Sequence, residues 1–389
     1  MSALNDAVKI SISNDVVQYA SGVMNDHLAL EKEVERVIKR VINENRNDAT
    51  IRLFKDKGRR DDLLEELFCN GLDNDTPLDE QLDIIFKDEY CLAINFLTAW
   101  SIELRNYFAK EFVEPWLEHY GATLSGIDVY AFIGKYKSTP FGLHKDDEHT
   151  FLLGCGNNHK NIFIVDENKE DIISKKHSID EIHQKSNKYQ LGGGDFLFIP
   201  KGVYHILSSD NYTVMLGIAP YPTSEKTLFS RTAKRLESMA MSGAFNNEYG
   251  LDASVLRSLT SNLDAISSLY STHMADCLAA EVKLIRSSKY LSGTPSYESK
   301  EFSDSSEFNV DSEFKIIKCD FKEESRIFAN GLEFVIKNKI VASNITNYIN
   351  SGDNFSVESI NREVLSGSNL KFSRDLVCRL LESGVIKNV

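Results

Sequence analysis

Apolar residues recur every three to four positions from His27 to Arg46, at Leu28, Leu30, Val34, Val37, Ile38, Val41 and Ile42, with charges between them. That period predicts an amphipathic helix. Asp61 to Cys69 and Leu78 to Phe86 read as shorter helices. Cys91 to Tyr120 reads as a longer one that Pro115 kinks or restarts. Its aromatics (Phe96, Trp100, Tyr107, Phe108, Trp116) recur at helix spacing and read as core. Residues 1–120 are therefore expected to be mostly helical. From Gly126 the rhythm changes to short apolar runs: Ile127 to Ile133, Thr150 to Leu153, Asn161 to Val165, Tyr189 to Leu191, Phe196 to Ile199, Val203 to Leu207 and Tyr212 to Ala219. Short strands divided by Gly, Asn and Pro predict a small antiparallel barrel or jelly roll over residues 121–222. The polar stretch Asp166 to Lys188 reads as a surface excursion.

Residues 223–291 turn helical again, with Lys226 to Met241 and Ala253 to Ile285 as candidates. The second carries more apolar residues than a short helix needs, which suits a partner surface and a homodimer. Residues 292–311 are rich in Ser and acid and read as a linker. Residues 312–389 predict a small α+β unit. Strands are expected at Phe314 to Cys319, Arg326 to Ala329 and Leu332 to Ile336, the last two joined by an Asn330-Gly331 hairpin turn. Helices follow at Ile340 to Ile349, after Phe355 with Ser356 as cap, and at Phe372 to Ser383, before a short strand at Val385-Ile386. Helices followed by a strand suggest a winged-helix shape.

Composition narrows the classes. The chain has 389 residues, 42% hydrophobic and 26% charged, enough for two or three cores. No apolar run approaches the ~18 residues of a membrane span, and the N-terminus shows no secretory pattern. Six cysteines without a C-x-x-C pair fit a reducing cytoplasm better than a disulfide framework. The formal net charge of −14 disfavours broad nucleic-acid binding and suits a basic protein or peptide partner. The C-terminal unit balances eleven basic against eleven acidic residues in Asp311–Val389, which favours a structural or protein-contacting role over DNA reading.

The candidate chemistry lies in the barrel. His144 and Asp146 sit two apart in Thr139-Pro-Phe-Gly-Leu-His-Lys-Asp-Asp-Glu-His-Thr, so an extended backbone turns both to one side and Lys145 to the other. His205 closes Gly194-Asp-Phe-Leu-Phe-Ile-Pro-Lys-Gly-Val-Tyr-His, in which Pro200-Lys-Gly makes a tight corner. Two imidazoles and one carboxylate on one face of a metal form the facial triad that non-haem Fe(II) uses, with the opposite positions open. Glu148 shares the face of Asp146 and is a second candidate acid; His149 points the other way and reads as structural. Gly192-Gly-Gly194 precedes a strand rather than a helix and is a turn, not a phosphate cradle.

The stretch Gly134 to Val165 and the corner Gly194 to His205 resemble the cupin-like JmjC oxygenases, and among them the bacterial ribosomal oxygenases, which hydroxylate a ribosomal protein. The order of helical start, barrel with H-x-D…H, helical dimerisation region and winged-helix-like C-terminus is similar. The resemblance implies an α+β chain whose catalytic barrel is a double-stranded β-helix. It also implies Fe(II) held by His144, Asp146 and His205, 2-oxoglutarate as co-substrate, and a protein or peptide substrate. It places a basic residue on the strand after the H-x-D segment, to pair with the distal carboxylate of 2-oxoglutarate. In Asn158-His-Lys-Asn-Ile-Phe that residue is Lys160 or, one register away, His159. Asn211 and Thr213 match a run that touches the co-substrate. Two other classes stay open: a metal cupin enzyme without 2-oxoglutarate, which needs no cation there, and a non-catalytic ligand-sensing regulator.

Overall fold

The structure is a computed structural model that describes residues 2–46, 48–55, 58–138, 140–165, 178–241, 267, 273–297, 301–310, 313–321 and 324–389. It divides into two compact units: Met1–Tyr221 with Leu291–Tyr297, and Pro222–Tyr290 with Glu298–Val389. Helix and a large antiparallel sheet are mixed. Among the described residues no helix is long and apolar enough to cross a membrane.

Ten strands of the first unit join into one antiparallel sheet. They are β1 (Gln18–Ala20), β2 (Ile51–Lys55), β3 (Gly58–Arg59), β4 (Tyr90–Ile94), β5 (Ile127–Tyr136), β6 (Thr150–Cys155), β7 (Lys160–Val165), β8 (Asn187–Leu191), β9 (Phe196–Ile199) and β10 (Tyr204–Pro220). The order is β1-β9-β6-β10-β5-β4-β2-β3, and β7 branches off to pair β10 and β8. The long β10 makes this possible. Its first part, Tyr204–Ser208, pairs β7; past an irregularity between Ser209 and Thr213 it pairs β5 and β6 instead. A bulge there bends the strand and lets one segment serve two layers. The expected runs Val203–Leu207 and Tyr212–Ala219 are therefore one strand, bent where Ser208-Ser209-Asp210-Asn211 interrupts the apolar pattern.

Alternation turns one face of each strand inward. Leu152, Ile162, Ile164, Leu197, Leu207 and Met215 meet in one buried cluster. Burying each such side chain stabilises by about 1.5–3 kcal/mol before entropy is counted. Lys160 shares the β7 face of Ile162 and Ile164, so the sheet carries a cation into this apolar interior.

Within the first 120 residues the expected helices stand at His27–Asn43, Asp61–Asn70 and Leu78–Phe86, and a further helix, Ala3–Asn14, is one that no expected element covered. The same 120 residues also supply β1 to β4 to the sheet, which the expected helical region did not include. The expected helix from Cys91 is corrected. Tyr90–Ile94 is a strand buried on both faces, and helix begins only at Ile102, capped by Ser101. Pro115 leaves its mark as a π turn over Ala109–Val113, ahead of the last segment Glu114–His119. A proline has no N–H to give the carbonyl four residues back, and the wider turn absorbs the missing bond. This helical stretch covers the outside of the sheet, where Phe112 and Trp116 meet Phe151 edge-on with centroids 4.8 and 5.9 Å apart.

Arg105, 0% exposed, donates to Thr98 O at 3.4 Å and Leu291 O at 3.3 Å, tying residues 291–297 to this unit. Arg105→Ala would strand buried carbonyls and open a cavity. We expect a loss of about 2–4 kcal/mol, read from the urea midpoint.

In the second unit the strands β11 (Phe308–Val310), β12 (Ile317–Asp320), β13 (Ser325–Ala329), β14 (Leu332–Ile336) and β15 (Ile386–Asn388) form two small sheets, β12-β13-β14 and β11-β15. β11 arises inside the expected linker. The β13–β14 hairpin turns on Asn330 and Gly331, both at positive φ (43° and 81°), which is the geometry Asn-Gly favours. Asn330 Nδ2 donates to Ser383 O at 2.6 Å, fastening the turn to the end of the helix Leu370–Glu382. Helices also lie at Glu225–Met241 and Lys339–Asn350. Ser356 caps the short helix Val357–Ser359. Of the long helix expected over 253–285, residues 253–266 and 268–272 lie outside the described residues, as do 166–177 of the polar stretch; residues 273–287 are helical.

Candidate metal centre

The corner ahead of β10 sets the site. The Val203 N–H bonds Pro200 O at 3.3 Å, and Gly202 takes φ +82°. That is a turn whose third residue needs a positive φ, which glycine adopts without strain. Gly202 N–H then donates to Asp146 O at 2.8 Å, and His205 and His144 exchange backbone bonds of 2.8 and 3.1 Å. The segment carrying His144 and Asp146 thus lies beside the start of β10 as a single bridge. Lys145 turns outward, its Nζ 5.2 Å from the Tyr204 ring centroid, as the two-residue period requires.

Three ligand-type atoms converge. His144 Nε2 lies 3.8 Å from Asp146 Oδ1, and His205 Nε2 lies 3.6 Å from Asp146 Oδ2. One ligand atom from each residue falls within 4.8 Å of the others. Ligands in neighbouring positions about 2.1 Å from a metal stand about 3 Å apart, so closure needs shifts of under about 1 Å. Both imidazoles are oriented for this. The Nδ1–H of His144 donates to Gly142 O at 2.9 Å, and that of His205 to Val203 O at 3.0 Å. Each bond fixes the tautomer that leaves Nε2 with a lone pair facing the carboxylate. Thr150 Oγ1 donates to Asp146 Oδ2 at 2.9 Å and holds the acid from the first residue of β6. Burial and the neighbouring His144 push the His205 imidazole below its usual range, against the pull of Asp146, which keeps it neutral and able to ligate. The residues present fit a divalent metal. Glu148 is half-buried, its carboxyl raised by burial and by Asp146 and Asp147, and it stands outside this group of three.

Lys160 is 1% exposed. Its Nζ donates to Tyr136 OH at 2.6 Å and to Phe132 O at 3.4 Å, and no acid forms an ion pair with it among the described residues. Burial lowers its pKa from 10.5 to about 8. His159, next in the chain, is exposed.

No protein-family model and no curated protein matches this sequence. The chain is similar in structure to the ribosomal oxygenase YcfD of Escherichia coli. That match is 12% identical, covers 96% of this chain and 94% of the other, and has a TM-score of 0.48. The structure of YcfD in complex with cobalt and 2-oxoglutarate matches over the same shares at 12% identity and a TM-score of 0.46. A cupin superfamily protein from Desulfitobacterium hafniense matches 24% of this chain and 67% of its own, at 16% identity and a TM-score of 0.18.

The remaining candidates separate. Asn211 is exposed, and its backbone carbonyl accepts from Ser209 Oγ at 2.6 Å. Thr213 is buried, its hydroxyl 3.2 Å from both Gly134 O and Ser209 Oγ with one hydrogen to give, in the bulge of β10. Thr150 is a site residue that the sequence pattern did not mark, and Gly217 shapes the neighbouring wall. A Cβ at Gly217 would fall 2.1 Å from Tyr130 Cζ, so the glycine is what lets the Tyr130 ring lie across β10. A lone Thr at a strand start and a lone Gly within one carry no signal of their own.

Proposed function

We propose that this chain is an Fe(II)- and 2-oxoglutarate-dependent oxygenase that hydroxylates a side chain of a protein or peptide, a ribosomal protein among the candidates. The carrying observation is the pairing of two features in one interior. A His-His-Asp face is already oriented for a metal, and a buried lysine, Lys160, has no acid partner among the described residues. The strand order, with β10 serving two layers, fits a double-stranded β-helix barrel; the C-terminal hairpin and helices fit a winged helix. An excess of apolar residues in 223–291 supports a homodimer.

Ferrous iron with the 2-oxo acid and oxygen bound supplies the oxidising power for C–H hydroxylation. The chain's own residues prepare and shield it. His144, Asp146 and His205 would hold the metal from one side, which would leave its open side for co-substrate and oxygen. Lys160 stands four residues, about 13 Å, along β7 from Ile164, the partner of His205. In this apolar interior a carboxylate paired with Lys160 is screened little by water. A metal cupin without 2-oxoglutarate has no need of that cation.

The test is oxygen-dependent conversion of 2-oxoglutarate to succinate by the full chain with added Fe(II). Slow substrate-independent turnover is expected, together with a visible absorption band when iron and 2-oxoglutarate are added anaerobically. The absence of both succinate and any band that depends on the 2-oxo acid would discard the proposal.

A further inference from the structure

His149 lies outside the ligand group, immediately before β6, in the aromatic layer beside Trp116, Tyr120 and Phe198. It is 8% exposed, with ring centroids 5.5 Å from Phe198 and 6.4 Å from Trp116. Packing alone would account for an aromatic ring there. The polar contacts do more. His149 Nδ1 accepts the backbone N–H of Lys201 at 3.4 Å, and Nε2 lies 3.5 Å from Tyr120 OH. An accepting Nδ1 makes Nε2 the protonated nitrogen, which gives Tyr120 its hydrogen. Asp15 Oδ1 stands 3.7 Å from Nδ1 on the exposed side.

Lys201 is the second residue of the Pro200–Val203 turn. The turn's own bond uses the N–H of Val203, so the N–H of Lys201 would otherwise have no backbone partner. The next residue, Gly202, donates to Asp146 O, and Val203 O holds the Nδ1–H of His205. One side of the corner therefore fixes Asp146 and the other fixes His205. His149 grips the corner itself. Its neighbour Thr150, facing inward, grips the Asp146 carboxylate. Two consecutive residues thus hold the two halves of the ligand set in register.

We propose, resting on the metal-centre reading above, that His149 is a positioning residue: by accepting the Lys201 N–H it locks the Pro200–Gly202 corner and so sets the separation of His205 from Asp146. Partners that orient ligands in this way affect metal affinity by about 10–100-fold.

The experiment is Co(II) binding to the full chain, measured by competition with a chelator, alongside thermal unfolding without metal. Three variants separate anchoring from packing. His149→Phe keeps a ring but no acceptor. His149→Asn loses the ring but sets an amide oxygen near the place of Nδ1. Lys201→Pro removes the N–H donor together with an exposed side chain, at a turn position where proline is favoured, and Lys201→Ala controls for the side chain. We expect His149→Phe and Lys201→Pro to bind Co(II) about tenfold or more weakly while Lys201→Pro unfolds at or above the wild-type temperature. His149→Asn should lose thermal stability yet keep affinity within about threefold. If His149→Phe fails to fold, Lys201→Pro decides alone. Affinity within twofold of wild type for Lys201→Pro, or affinity that merely tracks unfolding temperature across the set, overturns the inference. Asp146→Ala is the control. If it binds Co(II) as wild type does, the metal centre itself is refuted and this inference falls with it; if it loses Co(II) while Lys201→Pro does not, only the role of His149 is refuted.

Discussion

Asp146→Ala should abolish succinate formation, a drop of at least about 10³-fold, while leaving the fold intact. The carboxylate is the only anionic member of the ligand group, and both imidazoles face it within 3.6–3.8 Å. Its loss leaves two neutral nitrogens and one fewer bond to any divalent ion. Asp146 is part-exposed, and among the described residues its side chain accepts one hydrogen bond, from Thr150, which can turn to water instead. Unfolding free energy should therefore shift by no more than about 1 kcal/mol. The corner stays in place because Gly202 bonds the backbone carbonyl of residue 146, which alanine keeps. Co(II) affinity, succinate yield and the urea midpoint together separate this outcome from simple misfolding. A variant that folds, binds metal and turns over 2-oxoglutarate normally would refute the triad. An unchanged biological output in a catalytically dead His144→Ala variant would favour the regulator reading.

The site was legible in the sequence to the extent that its chemistry demands rare spacing. H-x-D needs two same-face positions, and the third ligand needs a rigid corner; both leave marks in residue type, such as Gly202 with its positive φ. What supports the ligands left no such mark. Thr150 and the Lys201 N–H act through ordinary hydrogen bonds that only the folded chain brings together. Lys160 and His159 differ by one residue, and a strand's period of two sends neighbours to opposite faces, so the choice between them turned on register. The structure puts Lys160 inside and His159 in water. The fold was least legible at β4. Tyr-Cys-Leu-Ala-Ile is buried at every position, so it lacks the alternation that marks a half-buried strand and reads as the start of a helix. β10 misled in the opposite way. Its polar middle looks like a loop, yet the chain stays extended while it changes partners.

Lys160→Met should raise the KM for 2-oxoglutarate by about 10- to 100-fold, with a smaller change in kcat and no change in Co(II) affinity. A cation enclosed in apolar surroundings is costly to keep charged without an anion, and methionine fills similar space at no such cost. The variant should therefore be the more stable chain when no co-substrate is present, and the less responsive to added 2-oxoglutarate in thermal unfolding. The pH dependence has a definite sign. Burial holds Lys160 near 8, well below the value of about 10.4 for an unfolded lysine. Between those values the unfolded chain binds the extra proton, so this group makes stability rise with pH from about 8 to 10.4, by about 3 kcal/mol at most. Co-substrate binding runs the other way, because the ammonium that would pair with the diacid is lost as pH climbs past about 8. Wild-type affinity for 2-oxoglutarate should weaken through that range, and the methionine variant should show neither the stability gain nor the affinity loss. The difference between the two chains, measured at pH 7 and pH 9 by unfolding and by 2-oxoglutarate titration, isolates Lys160 from every other group that titrates there. Equal KM values for the two chains would remove Lys160 from the co-substrate site.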